Sequence, residues 1–313
     1  MSLVIRPYVN AQDVEARVDI YNRSHVEDED FVPAKVDETV RWDKQPGAEH
    51  THRYIAELDG VPAGTASAVV EPEMPGTKGF MYGPSVVPEH RRKGVGSALA
   101  RRVLDDLRAR GMTQAEAEER DRPAATGFLQ SLGFKVTRIF SFMLRRLDSP
   151  PEPPRLAADT DIGLVETTDE VLKHIVAIEN EAFKEHYNHS TLKLTDLQFM
   201  VKAVAEDGTV SHVRLARVAG EPVGYLWYGF DPTVVAHLKK NRGWLWDLGV
   251  LKPHRCRGIA GAMMVAAMHD LKRDGMDEVK LRVDDTNVTG ARRVYERLGF
   301  TLAYRTLAYR KDL

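Results

Sequence analysis

A repeated turn constrains this chain more than any other feature. "HRRKGVGSAL", His90 to Leu99, returns 164 positions later as "HRCRGIAGAM", His254 to Met263. Each copy carries an arginine, a glycine three residues on, and a glycine or alanine two residues after that. Other segments repeat with it. "AELDGVPAGTA" (Ala56 to Ala66) matches "ARVAGEPVGYL" (Ala216 to Leu226), with Gly60, Pro62 and Gly64 standing 160 positions before Gly220, Pro222 and Gly224. "FLQSLGF" (Phe128 to Phe134) matches "VYERLGF" (Val294 to Phe300) at a spacing of 166. Preserved order with a slow drift in spacing marks a duplicated domain with short insertions. The chain is therefore expected to fold as two similar units, and 313 residues let each bury its own core.

Each half reads in the same order. A strand–turn–strand hairpin is followed by an apolar strand, "SVV" near Val86 in one half and "WLWDLGV" ending at Val250 in the other. The glycine turn comes next, then an amphipathic helix. Its apolar stripe is Leu99, Val103, Leu104 and Leu107 in the first half, and Met263, Met264, Ala267, Met268 and Leu271 in the second. Hairpins interleaved with helices predict an α/β (α+β) chain whose two domains each hold a mixed sheet. Between the halves lies "DSPPEPPRLAADTD", Asp148 to Asp161, where Pro150, Pro151, Pro153 and Pro154 favour extended backbone. It reads as a semi-rigid linker. The expected bounds are residues 1–147, a linker at 148–160, and residues 161–313.

Composition narrows the function. A net charge of −2 gives no footprint for nucleic acid or an anionic membrane surface. One cysteine, Cys256, excludes an intramolecular disulfide framework and a Cys-rich metal site. No N-terminal leader and no membrane-length apolar run is evident, so a cytoplasmic protein is expected. The turn supplies the positive clue. It follows a strand and opens a helix, and a helix N-terminus offers unpaired N–H groups and roughly half a positive charge. Gly258 allows an anion to approach the backbone, while Arg255 and Arg257 add charge, which together suit phosphate. No Gly-Lys-Ser/Thr ending and no Gly-x-Gly-x-x-Gly is present, so nucleotide-hydrolysing loops and dinucleotide folds fit poorly. The turn is short enough to arise by chance in roughly a few in ten chains of this length, so its surroundings have to carry the argument.

Those surroundings are "VLKPHRCRGIA" (Val250 to Ala260) and "NVTGARRVYERLGF" (Asn287 to Phe300). Together they resemble the GCN5-related N-acetyltransferase (GNAT) superfamily, once per half and over nearly the whole chain. The resemblance implies two tandem domains, each a mixed, mostly antiparallel sheet flanked by helices. It also implies acetyl-CoA as cosubstrate, an amine as acceptor, and no metal. By the same resemblance the backbone of Arg255, Cys256, Arg257, Gly258, Ile259 and Ala260 would hold the pyrophosphate. Leu248 and Val250 would pair with the pantetheine arm, and the amide of Leu248 would polarise the thioester carbonyl. Asn287 would contact the cosubstrate, or else cap the last helix. Tyr295 would protonate the leaving thiolate, since a phenol is protonated at neutral pH. Otherwise it packs in the core with Ala291, Val294 and Leu298 on one helical face.

Other residues are more open. Asp247 is a candidate base, and strand alternation places it opposite both Trp246 and Leu248; a solvated carboxylate is its other reading. His186 and His189 either border the acceptor site or are surface loop residues. The run "HVEDEDF", His25 to Phe31, either attracts a cationic acceptor or is a solvated loop. Cys256 has no histidine arrangement that would support a covalent route, so direct attack of the amine is expected. In the first half, a second site comprising Val86, Arg91, Arg92, Lys93, Gly94, Val95 and Gly96 keeps the cradle. Its chemical positions depart from the pattern: Leu129 replaces Tyr295, Asp121 replaces Asn287, and Pro84, which has no N–H, replaces Leu248. The expectation is catalysis in the C-terminal half and a non-catalytic N-terminal half. The alternatives are an acyl-CoA-binding sensor or scaffold without catalysis, and a transferase for a longer acyl group.

Overall fold

The computed structural model describes residues 2–74, 76–286 and 290–313. The first half runs β1 (Leu3–Pro7), α1 (Asn10–His25), α2 (Val36–Trp42), β2 (Thr51–Leu58), β3 (Val61–Val69), β4 (Lys78–Val86), α3 (Val95–Ala109), β5 (Gln114–Arg120), α4 (Pro123–Ser131) and β6 (Lys135–Arg146). The second runs β7 (Thr160–Val165), α5 (Asp169–Ala182), α6 (Leu194–Glu206), β8 (Val210–Val218), β9 (Glu221–Phe230), α7 (Pro232–Leu238), β10 (Arg242–Val250), α8 (Ile259–Arg273), β11 (Glu278–Asp284), α9 (Ala291–Arg297) and β12 (Thr301–Asp312). The longer β9–β10 connection, which holds α7, moves the repeat spacing from 160 to 164. Both hairpins turn on left-handed pairs, Asp59–Gly60 (φ 51° and 81°) and Ala219–Gly220 (φ 51° and 87°). That geometry matches the twist of paired strands.

Residues 1–138 and 306–313 form one compact unit, and residues 139–305 form the other. In the first unit the sheet order is β1-β2-β3-β4-β5 and then the end of β12; β4–β5 is its parallel pair. In the second unit the order is β7-β8-β9-β10-β11-β6, with β10–β11 parallel. The bounds therefore differ from the expected 1–147 and 161–313 at both ends. Thr306–Asp312 lie antiparallel on Arg120–Gln114 of β5 and complete the first unit's sheet. Phe140–Arg146 of β6 do the same for β11 of the second. Glu116 gives one physical reason. It is only 2% exposed on β5, and the guanidinium of Arg310 reaches it at 2.7 and 2.9 Å. An unpaired carboxylate there would be costly.

The helix stripes fall where the periodicity predicts. Leu99, Val103, Leu104 and Leu107 of α3 are buried, as are Met263, Met264, Ala267, Met268 and Leu271 of α8. On the other face of the second sheet, Leu172, Ile175 and Ile178 of α5 pack with Val213, Leu215 and Tyr225. The proline-rich stretch belongs to the second unit and is not a free spacer. Leu156 packs on the α8 core, and a Cβ at Gly258 would sit 3.7 Å from Pro154.

One sheet feature positions the site. β4 and β5 pair only through Lys78–Phe80, and β10 and β11 only through Arg242–Leu245. Beyond those points the parallel strands part. In each unit the glycine turn follows the strand that leads away.

Candidate active site

The two turns have the same backbone. A short 3₁₀ turn, Pro88–His90 or Lys252–His254, precedes each arginine. Arg92 and Gly94 are left-handed at φ 62° and 82°, and Cys256 and Gly258 at 61° and 81°. Gly94 and Gly258 each stand immediately before a helix. Successive amides in such a concavity, capped by a helix N-terminus, suit a pyrophosphate. The arginine side chains have another task. Arg255 donates to the carbonyls of Val250 at 2.9 Å and Ala182 at 2.8 Å. Arg91 donates to those of Val86 at 3.1 Å and Ser24 at 2.8 Å. Each guanidinium ties the strand end to the end of the unit's first helix. Arg255 thus shapes the cradle, and its charge is already spent on backbone oxygens. Arg257 reaches His254 at 3.4 Å and Asp159 at 3.5 Å.

Asp247 is not a solvated carboxylate. A bulge between Leu245 and Asp247 interrupts the β9–β10 ladder. It also changes the expected alternation. Leu248 packs toward α8, opposite Asp247, as predicted. Trp246 does not oppose Asp247: its ring lies over Gly229, on the face shared by Tyr225 and Trp227. The bulge admits one extra residue, and that residue changes sides. On this face the hydroxyl of Tyr225, fully buried, lies 2.5 Å from Asp247 and within hydrogen-bond reach of Glu179. Glu179 comes from α5, and the sequence offered no sign of it.

Desolvation dominates the electrostatics of this cluster. Burial, then the adjacent Asp247 charge, pushes Glu179 up to about 8. Burial also raises Asp247, against hydrogen bonds from Tyr225 and from the amide of Leu248. Burial, followed by both carboxylates, holds the Tyr225 phenol well above its ordinary range. The Leu248 amide, expected to face a thioester carbonyl, lies near enough to Asp247 to lower it.

Tyr295 lies on α9, packed on the same core as Leu248 and edge-on to Phe300 at 6.2 Å. Burial and then the Asp247 charge push it up to about 12, so it is protonated at neutral pH. Tyr295 and Asp247 are therefore close enough to sense each other. Asn287 lies outside the described residues. His186 stacks edge-on against Phe183, and the His189 amide bonds back to the His186 carbonyl at 3.2 Å, forming a local turn.

The first unit keeps the cradle without this chemistry. At the positions of Tyr225, Asp247 and Tyr295 stand Thr65, Gly83 and Leu129, and Leu129 is buried in the core. Pro84 stands where Leu248 does. Around them is a cavity of about 1290 Å³ lined by Pro84, Val86, Arg91, Arg92, Gly94 and Gly96, among others. Among the described residues, no group of His, Cys, Asp or Glu side chains is placed to hold a metal, and no helix is long and apolar enough to cross a membrane.

Two splayed α/β units, each with a strand, a glycine nest and a helix N-terminus, define a class of acyltransferase. The pattern of the acetyltransferase (GNAT) family matches residues 16–134 and again residues 172–300. The chain belongs to that family, and it is a tandem, acetyl-CoA-dependent N-acetyltransferase. It is 29% identical over 271 residues to the mycothiol acetyltransferase of Actinosynnema mirum, covering 86% of each chain. With the enzyme of the same name from Salinispora arenicola it shares 30% over 261 residues, covering 82% of this chain and 80% of the other. Among solved structures it resembles a tandem GNAT protein from the clavulanic acid biosynthesis pathway, at TM-score 0.79 and 15% identity over 99% of this chain and 98% of that one. A GCN5-related N-acetyltransferase from Sphaerobacter thermophilus gives TM-score 0.71 and 23% identity over 99% and 95%. These likenesses favour the transferase over a binding-only sensor.

Proposed function

We propose that acetyl transfer takes place in the second unit, by direct attack of a primary amine on the thioester of acetyl-CoA. The observation that carries this reading is the cluster of Tyr225, Asp247 and Glu179 beside Tyr295, against Thr65, Gly83 and Leu129 in the first unit. The cosubstrate supplies an activated acetyl thioester. The chain supplies the rest. Amides of Arg255 to Ala260 hold the pyrophosphate, and Leu248 and Val250 line the pantetheine arm. Asp247 takes the proton released by the amine, and Tyr295 gives one to the departing sulfur. The Leu248 N–H is the donor for the carbonyl oxygen; a donor of this kind contributes about 10²–10³ in rate. The first unit is non-catalytic, and its cavity with the nest at Arg91 to Gly96 suits a second coenzyme or another phosphate ester.

The names of the relatives make a mycothiol-related amine the first acceptor to test. Coenzyme A release is the measurement, across that amine, aminosugars, aminothiols, polyamines and lysine peptides. Tyr295→Phe is expected to lower turnover about 10²–10⁴-fold with acetyl-CoA binding retained. Full activity in that variant would remove Tyr295 as the acid.

A further inference from the structure

We propose that Glu179, Tyr225 and Asp247 form one proton wire, in which Asp247 meets the acceptor amine and Glu179, on α5, is the proton's destination. This rests on the reading of the second unit as the catalytic one. Counting protons supports it. A phenol has a single proton, yet the Tyr225 oxygen lies within hydrogen-bond reach of both carboxyl groups. Tyr225 donates one of those contacts; the other needs a proton on Glu179 or Asp247. The resting trio therefore shares two protons among three oxygen acids. Each carboxyl also shifts the other's hold on its proton. Loss of the carboxyl proton to solvent leaves a vacancy that one proton can fill.

The groups around the wire leave few other routes. β9 and β10 contribute Tyr225, Asp247 and the Leu248 amide, and α9 contributes Tyr295, which senses Asp247. The Arg255 guanidinium is held by the carbonyls of Ala182 and Val250. His186 rests on Phe183, while β8 and α6 offer Val213, Leu215 and Leu197. No cation enters the causes of the Glu179 or Asp247 shifts, so the pair is governed by burial and by its own repulsion. A base poised near the working pH is the useful kind.

The step balances. The amine lone pair forms the C–N bond, and the C–S pair leaves with sulfur, which takes the Tyr295 proton. The nitrogen's surplus proton passes to Asp247. Asp247 gives a proton to the Tyr225 oxygen as Tyr225 gives its own to Glu179. Asp247 and Tyr225 end as they began, and one proton has moved from the amine to Glu179. Solvent then reprotonates Tyr295 and empties Glu179.

Two measurements test the wire. In protein labelled with ¹³C at glutamate carboxyls, the Glu179 carboxyl is expected to titrate near 8 and to return toward the ordinary glutamate range in Asp247→Asn. In kinetics with the most active amine of the panel, Glu179→Gln and Tyr225→Phe are each expected to lower kcat on the order of 10²-fold. Glu179→Gln should move the rising limb of the pH profile to lower pH, whereas Tyr225→Phe, which removes a hydrogen bond that lowers both carboxyls, should move it to higher pH. The double variant should be no worse than either single one, because groups that act as a unit are not additive. Losses that multiply, with the pH profile unmoved, would overturn the wire and leave only a packing role. Should Tyr225→Phe fail to fold, the isosteric Glu179→Gln profile decides alone. A Glu179 carboxyl that titrates at the ordinary value sinks the wire without touching Tyr295. Full activity in Tyr295→Phe sinks the acid assignment without touching the titration.

Discussion

The two glycine turns share one backbone and face different surroundings. At Gly94 an added Cβ would meet nothing within 4 Å, whereas at Gly258 it would meet Pro154 and Leu156 at 3.7 and 3.8 Å. In both turns the arginine ties the strand end to the first helix with the same two carbonyl bonds. What differs is the strand before the turn. β10 carries Asp247 into a cluster with Tyr225 and Glu179, while β4 carries Gly83 and Pro84 into an open cavity. On the proposed reading, a motif is kept for folding where its chemistry has gone. The nest and its arginine staple build the unit; the groups beside it decide what the unit does.

Breaking the turns should separate these roles. Gly258→Val forces a β-branched residue to φ near 81° and presses it on Pro154. Left-handed backbone costs such a residue roughly 1–2 kcal/mol, and the amides would lose their common aim. The expected result is a drop in kcat/KM for acetyl-CoA of about a hundredfold. The same change at Gly94 strains only the first unit's turn, and its effect on turnover should be smaller by about tenfold or more. Steady-state kinetics on both variants checks this. A larger loss from Gly94 would place the chemistry in the first unit and overturn the proposal.

The staples come next. Arg255→Ala and Arg91→Ala each remove two charged hydrogen bonds to carbonyls. At about 1.5–3 kcal/mol for a bond to a charged group, partly offset by water at the half-buried Arg255 and more so at the exposed Arg91, each variant should lose about 1–3 kcal/mol in denaturant unfolding. Lysine should not restore it, since one ammonium cannot hold two carbonyls in a fixed fork. Similar losses in the two units would confirm a shared structural role. A loss of acetyl-CoA affinity without any loss of stability would return Arg255 to the binding site.

Much of this was legible in the sequence for local reasons. The stripes of α3 and α8 follow helical period, and the hairpins announce themselves in Asp59–Gly60 and Ala219–Gly220, so both appear from a single pass. The nest followed from its place between a strand and a helix, whereas Tyr295 came only through the family resemblance. What stayed hidden depends on partners far along the chain. Glu179 lies 46 positions from Tyr225, on α5, and nothing local marks it. The bulge at Asp247 reverses one side chain and leaves no sign in composition. The placement of residues 306–313 on β5 is likewise a pairing choice between distant segments, seen in Glu116 meeting Arg310.

Glu119 offers the gentlest test of how the units differ. On β5 of the first unit, burial, with some help from Asp28 and against Arg122, pushes it from 4.5 up to about 7. The folded state then binds its proton more tightly than the unfolded chain does. Stability from this group is fully present below about pH 4.5 and is lost as pH rises through 7. Glu119→Gln should therefore unfold like the parent at pH 4. At pH 8 it should be more stable, by about 1–3 kcal/mol after allowance for partial exposure. Thermal unfolding at the two pH values checks the sign. Glu179 is raised for the same physical reason, so Glu179→Gln should also stabilise at pH 8, but with the catalytic loss described above. If both substitutions stabilise and only one costs turnover, the strain at Glu179 belongs to function, and the strain at Glu119 is a residue of the shared fold.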